Sequence, residues 1–309
     1  MEAKEMKGRN QVVIKPCSVH HIYQNTRRGH LIFYSVKDYL VFLSIVSTLA
    51  RQYDVQILGV CLMADHIHLL VWVRDSRQLV SFVRDYTALF SRRYNEYYRR
   101  EGALFNPYGC APKIGHKRIR SAIAYLYNNP VENHLELRAE DYRWNFLAYA
   151  NDRNPFSEKL RIDVARWELR KALSVIKATR RDGRPLNYVQ IERITEHLSP
   201  RELKQFTDYV IRQYSPIDYT KTIPYYGSYG KMVTAINANT GSEYDLKEDT
   251  YAKDHRIYRT MIRYLIHEKR WNSMKDVLLL PEWERRRLAL MQMRELGASE
   301  TEVSKFLWL

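Results

Sequence analysis

Residues 59–71 form an apolar run that carries two histidines, Gly59-Val60-Cys61-Leu62-Met63-Ala64-Asp65-His66-Ile67-His68-Leu69-Leu70-Val71. With its flanks the run predicts two strands, 55–62 and 67–73, that pair antiparallel. Residues two apart on a strand share a face, so the imidazoles of His66 and His68 point the same way. A single His-x-His on a strand is usually structural, so this pattern needs a partner elsewhere in the chain.

A second motif further along the chain supplies that partner, Tyr125-Leu126-Tyr127-Asn128-Asn129-Pro130. Residues four apart on a helix share a face, so Tyr125 and Asn129 lie together, whereas Tyr127 faces away and is expected to pack. Two imidazoles and a carboxamide can hold a divalent metal beside a tyrosine hydroxyl. This combination could cut a phosphodiester through a covalent phosphotyrosine. The alternative for Tyr125 is ordinary packing, because the chain has 24 tyrosines.

The order of the predicted elements indicates the fold class. They are a strand at 11–23, a helix at 36–53, the strand pair, a helix at 78–98, a loop at 104–117 with room for a short edge strand, and a helix at 118–128 stopped by Pro130. This order predicts an α+β fold, a ferredoxin-like or RRM-like antiparallel sheet with helices on one face. The histidine pair would lie on an inner strand, with Tyr125 laid across it.

A polar, turn-rich segment at 149–155 predicts a domain boundary. It separates a catalytic domain at 1–150 from an all-helical domain at 151–309, with helices expected at 157–177, 200–214, 231–239, 252–269 and 281–296 and a loop at 215–230. The last of these helices stops at Gly297, and Ser299 with Glu302 forms a capping box for one more. This pattern predicts a terminal helix-turn-helix that binds DNA. The alternatives are a plain helical hairpin and helices that only cover an apolar face of the first domain.

Composition limits the classes of function. The 309 residues allow two domains, and a net charge of +15 with a pI near 9.6 favours an anionic partner, nucleic acid or a membrane surface. A basic protein without such a partner remains the alternative. No apolar run approaches the ~20 residues that span a membrane, and the first ten residues lack an apolar signal core. Three cysteines far apart indicate a reducing cytosol, with neither a disulfide framework nor a cysteine zinc site.

Several motifs, in order, resemble the REP-associated tyrosine transposases, which belong to the His-hydrophobe-His (HUH) class of single-strand transposases and contain an IS200-like transposase domain. The likeness runs from about His20 to Tyr149. The segments that carry it are His21-Ile22-Tyr23-Gln24-Asn25-Thr26-Arg27-Arg28-Gly29, then Phe33 and the helix from Asp38, Cys61 to Leu70, Tyr125 to Val131, and Tyr142-Arg143-Trp144. Ala64-Asp65 replaces the family's Pro-Asn, and Asn145 stands where the family often has Ser. Neither change removes a proposed ligand or the nucleophile, but Asp65 adds a charge that could tune the site.

The resemblance implies an enzyme that cuts and rejoins single-stranded or hairpin DNA through a 5′-phosphotyrosine. Tyr125 would be the nucleophile, and His66, His68 and Asn129 would hold the metal. Mg²⁺ prefers oxygen ligands and Mn²⁺ accepts imidazole more readily, so either metal is expected. The family includes monomers and dimers, so a homodimer is one of two expected states. We also expect a cytoplasmic, nucleoid-associated protein without membrane contact.

Basic side chains near these motifs are candidates for binding DNA phosphates. Near the site they are Arg27, Arg28, Lys113, Lys117, Arg118 and Arg120, and in the last helical region Arg285, Arg286 and Arg287. Tyr23 and Tyr108 could stack on bases. The alternative for each is a solvated surface residue.

Two other functions fit the same residues. One is a catalytically inactive DNA-binding regulator on the same fold, and the other is a metal-dependent RNA-processing nuclease on an RRM-like sheet. A covalent adduct on Tyr125 would distinguish the tyrosine transposase from both of these alternatives. DNA binding without cleavage would favour the regulator, and RNA cleavage without an adduct would favour the nuclease.

Overall fold

The computed structural model describes residues 12–238 and 255–309, and predicted segments that fall within 1–11 and 239–254 lie outside the described residues. A four-stranded antiparallel sheet forms the centre of the first half, in the order β2-β3-β1-β4. Its strands are β1 Ser18–Asn25, β2 Gln56–Leu62, β3 His66–Val73 and β4 Gly109–Lys113. The order confirms the predicted α+β class with a ferredoxin-like sheet, and β3 is an inner strand as expected.

The first strand is shorter than the sequence predicted. Cys17 has a φ of +51°, which turns the chain just before Ser18. The residues before that turn pair elsewhere, because Val13 donates its backbone N–H to the carbonyl of Cys110 at 2.8 Å. The predicted strand at 11–23 is therefore wrong in its first part, where a turn interrupts an apolar run.

Two helices cover one face of the sheet, α1 Val36–Gln52 and α2 Ser76–Tyr98. A capping box starts each helix, formed by Ser35 with Asp38 and by Asp75 with Gln78. They pack on the apolar residues of β3 that alternate with the histidines, among them Ile67. Both helices therefore lie behind the sheet, on the side away from the two imidazoles.

The third helix, α3 His116–Glu132, covers the opposite face. With α1 and α2 together on one face and α3 laid across the histidine pair, the arrangement agrees with the predicted fold. The sheet carries buried apolar side chains on both faces, so each face needs a cover. Gly59 of β2 lets α3 come close, since an added Cβ there would lie 3.3 Å from Leu126. The helix also continues past Pro130, which removes only one backbone hydrogen bond in the last turn.

The second half is helical, as predicted. Its helices are α4 Trp167–Arg181, α5 Tyr188–Thr195, α6 Pro200–Tyr214, α7 Tyr219–Thr222, α8 Tyr229–Ala238, α9 Arg256–Arg263, α10 Met274–Leu278, α11 Glu282–Leu296 and α12 Glu300–Leu307, with a π-helical turn at Tyr264–Glu268. Short 3₁₀ turns lie at Arg27–Gly29, Ala139–Asp141, Arg143–Asn145, Leu147–Ala150, Ile162–Val164 and Ile223–Tyr225. The first of these helices starts ten residues later than the predicted 157, and α7 lies in the predicted loop. In the described part of the chain no helix is long and apolar enough to cross a membrane.

The helices of the second half share a core with the first half. Residues of α4, α5, α6 and α12 belong to the same buried apolar cluster as α1 and α2. The predicted capping box of Ser299 and Glu302 starts α12, and Gly297 ends α11 with a φ of +68°. The buried side of α12 carries Val303, Phe306 and Leu307, so this helix is anchored to the protein along one side.

Candidate active site

His66, His68 and Asn129 meet at one point between β3 and α3. The Nε2 of His66 lies 3.2 Å from the Asn129 Oδ1, and the Nε2 of His68 lies 3.2 Å from the Asn129 Nδ2. Strand alternation points both imidazoles toward α3, and their ring centroids are 5.1 Å apart. The structure therefore brings together the three side chains that the sequence predicted as metal ligands.

The Nδ1 atom of each imidazole, on the side away from Asn129, contacts another side chain. His66 Nδ1 lies 2.7 Å from the Asp65 Oδ1, and His68 Nδ1 lies 3.1 Å from the Nε2 of His21 on β1. Burial lowers the pKa of His21 to about 3, with a smaller contribution from Lys113, and burial also lowers the pKa of His68 well below its usual value. His21 and His68 are therefore neutral at ordinary pH, the form in which imidazole binds metals.

The tyrosine predicted as nucleophile lies against these rings. The edge of Tyr125 meets His21 and His68, with ring centroids 5.8 Å and 5.6 Å apart. Tyr127 points away into the core under α3, where burial raises the pKa of its hydroxyl. The prediction that Tyr125 faces the site and Tyr127 packs matches this geometry.

The chemistry of the donor set fits a divalent metal. Within residues 12–238 and 255–309, no three His, Cys, Asp or Glu side chains are grouped to hold an ion, and the third donor beside the two imidazoles is an amide. When His66 donates from Nδ1 to Asp65, the lone pair of its Nε2 faces the Asn129 Oδ1, which is also an acceptor. Two acceptors that face each other are favourable when a cation lies between them.

The basic side chains predicted near the site lie around its rim. Arg27 and Arg28 are exposed on the turn after β1, beside Asp65, whose carbonyl accepts the backbone N–H of Thr26 at 2.9 Å. Lys113 on β4 is close enough to lower the pKa of His21. The predicted set on the first turns of α3 is also exposed, and consists of Lys117, Arg118 and Arg120.

The arginines predicted on α11 differ from one another. The guanidinium of Arg285 donates to the carbonyls of Leu307 and Trp308 at the end of α12, so its role includes holding the C-terminus. Arg286 is exposed and pairs with Glu282 at 2.6 Å, and Arg287 is exposed. Burial lowers the pKa of His30 to about 4, with smaller contributions from the charges of Arg100, Arg28 and Arg285. Arg285 is therefore near the turn after β1, which carries Arg28.

Sequence reasoning missed two residues at the site, His21 and His255. His21 lies in a motif that carries the family resemblance, and its alternation with Tyr23 indicates that the two side chains share a face of the strand. Only the pairing of β1 with β3 brings His21 to His68. His255 comes from the second half, where no spacing pattern linked it to the histidine pair.

Of the two predicted stacking residues, Tyr23 covers Gly109, where an added Cβ would lie 2.1 Å from its ring.

The antiparallel sheet, its histidine pair and the tyrosine-bearing helix on one face agree with the arrangement that the family resemblance implies. Residues 13–129 match the family model described as "Transposase IS200 like", so this segment of the chain is similar to that family. The chain is also similar to a solved structure of a REP-associated tyrosine transposase bound to a REP hairpin, with 14% identity over 45% of this chain and 81% of that one and a TM-score of 0.36. No curated protein matches it.

Proposed function

We propose that this protein is a transposase that cuts and rejoins single-stranded or hairpin DNA with Tyr125 as the nucleophile. The observation that carries the proposal is the meeting of His66, His68 and Asn129 beside the Tyr125 ring, all on one face of the sheet. Attack by the hydroxyl oxygen on a backbone phosphorus forms a phosphotyrosine bond to the 5′ side and releases a 3′-hydroxyl. Because the new ester keeps the bond energy, the reverse attack by a 3′-hydroxyl joins strands without another energy source.

His66, His68 and Asn129 would hold Mg²⁺ or Mn²⁺, the cofactor that the family resemblance implies. When bound, such an ion polarises the scissile phosphate and offsets the charge that develops in the transition state. The imidazoles are suited to this because their Nδ1 atoms lie beside Asp65 and His21, which leaves the Nε2 atoms turned toward Asn129. Nitrogen donors favour Mn²⁺ over Mg²⁺ at equal concentration.

The tyrosine is held in place by the fold. The Tyr125 side chain is 5% exposed, and the rings of His21 and His68 limit its rotation. A tyrosine hydroxyl, with a pKa near ~10, is a poor nucleophile until it loses its proton, so positioning must be combined with activation at the phosphate. The fixed geometry contributes by presenting the oxygen to one phosphate at a time.

The basic rim would hold the DNA strand. Arg27 and Arg28 adjoin the end of β3 that carries His66, and Lys113, Lys117 and Arg118 lie toward β4 and the start of α3. Exposed guanidinium and ammonium groups bind phosphates without reading sequence, so the rim fits a backbone that passes the site. A net charge of +15 adds a general attraction for DNA.

The test compares two tyrosines two residues apart on the same helix. Tyr125→Phe should keep the fold and DNA binding but abolish cleavage of a labelled hairpin oligonucleotide with Mn²⁺ or Mg²⁺, because only the hydroxyl is lost. Tyr127→Phe is the matched control and should cleave nearly as wild type, since its buried hydroxyl has no hydrogen-bond partner. Cleavage by Tyr125→Phe at the wild-type rate would refute the assignment. DNA binding without any cleavage by the wild type would favour an inactive regulator.

A further inference from the structure

His255 joins the site from the second half of the chain. Its side chain is buried, and its Nε2 lies 3.8 Å from the Asp65 Oδ1. Its ring crosses that of His66 at 83°, with centroids 6.0 Å apart. Its backbone N–H donates to the carbonyl of Asn133 at 3.2 Å, just after α3. One residue therefore contacts both the strand hairpin that carries His66 and the helix that carries Asn129.

Asp65 connects His255 to the histidine pair. Its carboxylate is buried, and one oxygen faces the Nδ1 of His66 at 2.7 Å and the Nε2 of His255 at the longer distance. A buried carboxylate is costly unless hydrogen-bond donors or positive charge surround it, so these neighbours contribute to its orientation. The 3.8 Å separation is too long for a direct hydrogen bond, and it forms an ion pair only when His255 is protonated.

We propose that Asp65 and His255 are positioning residues that fix the tautomer and orientation of His66, so that the metal site is built from both halves of the chain. This inference rests on the proposed function for the role of His66 as a ligand. Asp65 would keep the proton on Nδ1 and the lone pair on Nε2, aimed at Asn129. His255 would hold the carboxylate in the direction that makes this possible.

The carboxylate has a specific consequence for the metal. A carboxylate behind a ligating imidazole raises its basicity, and losing such a partner typically weakens metal binding ~10–100-fold. An amide at position 65 carries no charge and can present either its oxygen or its NH₂ group to Nδ1, so it would not fix the tautomer of His66. His255 acts one step further away, so its loss should weaken binding by less, on the order of threefold to tenfold on the same scale.

A purely structural role for the Asp65–His255 contact makes different predictions. The contact would then attach the start of α9 to the end of α3, where Arg259 also donates to the carbonyl of Leu135 at 3.0 Å. Substitutions would lower the melting temperature. The tautomer of His66 and the affinity for metal would stay as in the wild type.

The experiment uses the full chain with Asp65→Asn, His255→Gln and the double variant, and the exposed His267→Gln as the control. Nitrogen-15 spectra of the metal-free proteins report the tautomer of His66, and calorimetry with Mn²⁺ reports affinity. We expect an Nδ1-protonated His66 in the wild type and in His267→Gln, and a mixed tautomer in Asp65→Asn. Mn²⁺ affinity should fall ~10–100-fold in Asp65→Asn, and the double variant should lose less than the sum of the single losses.

Two outcomes would overturn the inference: an unchanged His66 tautomer in Asp65→Asn, or affinities within twofold of wild type in both folded single variants. Failure of the proposed function looks different. A wild type that binds no Mn²⁺ and forms no adduct would remove the role in metal binding, while the tautomer spectra would still decide whether Asp65 orients His66. If Asp65→Asn does not fold, His255→Gln carries the test through the same two measurements.

Discussion

Removing everything after Asn154 is expected to unfold the first half of this protein. Four buried tyrosines of the first half pack against rings that the deletion would remove. The contacts, as ring-centroid distances, are Tyr34 to Phe306 at 5.6 Å, Tyr94 to Trp308 at 6.1 Å, and Tyr97 and Tyr98 to Tyr188 at 4.3 Å and 6.0 Å. The deletion therefore opens one side of the core that α1 and α2 form with the sheet.

The cost of the deletion can be worked from these contacts. Full exposure of a large apolar side chain costs ~1.5–3 kcal/mol, so half-exposure of all four tyrosines costs ~3–6 kcal/mol. A domain has a free energy of unfolding of ~5–15 kcal/mol in total. Polar losses add to this, since the Ser44 hydroxyl on α1 accepts the backbone N–H of Leu186 at 2.9 Å, and Lys37 pairs with Glu192 at 2.7 Å.

The assay compares the fragment 1–154 with the full chain. Circular dichroism during heating should show a cooperative transition for the full chain and a much lower or absent one for the fragment. Co-expression of residues 155–309 in trans should restore soluble protein, because the lost surface is then covered again. A soluble fragment that melts cooperatively near the full chain's temperature would refute this reasoning and support two independent domains with a boundary near 150.

Four further outcomes can be tested. Gly109→Ala should lower the free energy of unfolding by ~1–3 kcal/mol in a urea titration, because the new methyl group overlaps the Tyr23 ring; Gly230→Ala, with no atom near its Cβ, is the control and should show no loss. Arg286→Glu should flatten the salt dependence of DNA affinity by roughly 0.7–0.9 log units per log unit of salt if the residue binds a phosphate, whereas an unchanged slope would remove it from the interface. Arg285→Glu should instead lower the melting temperature, since it holds the carbonyls of Leu307 and Trp308. A chelator should stop cleavage and added Mn²⁺ should restore it, and cleavage that persists in chelator would exclude the metal.

The local part of the site could be predicted from sequence, because short periodicities fix it. Strand alternation placed His66 and His68 on one face, and helical periodicity placed Tyr125 beside Asn129 and Tyr127 away from it. The capping box of Ser299 and Glu302 also depends only on neighbours in the chain. These relations hold wherever the element lies in the fold, so a single sequence is sufficient to predict them.

What the sequence could not predict depends on contacts between distant segments. His21 reaches His68 only through the register of β1 with β3, and His255 reaches Asp65 only through the packing of α9. The role of Arg285 at the end of α12 likewise required the tertiary structure.

The most direct test of the account is to locate the DNA-linked residue. A labelled hairpin oligonucleotide is incubated with the full chain and Mn²⁺, the denaturation-resistant adduct is digested, and tandem mass spectrometry assigns the modified residue among the 24 tyrosines. The account predicts a 5′-phosphate on the Tyr125 oxygen and none on Tyr127. A nucleotide on any other residue, or efficient cleavage without an adduct, would contradict it.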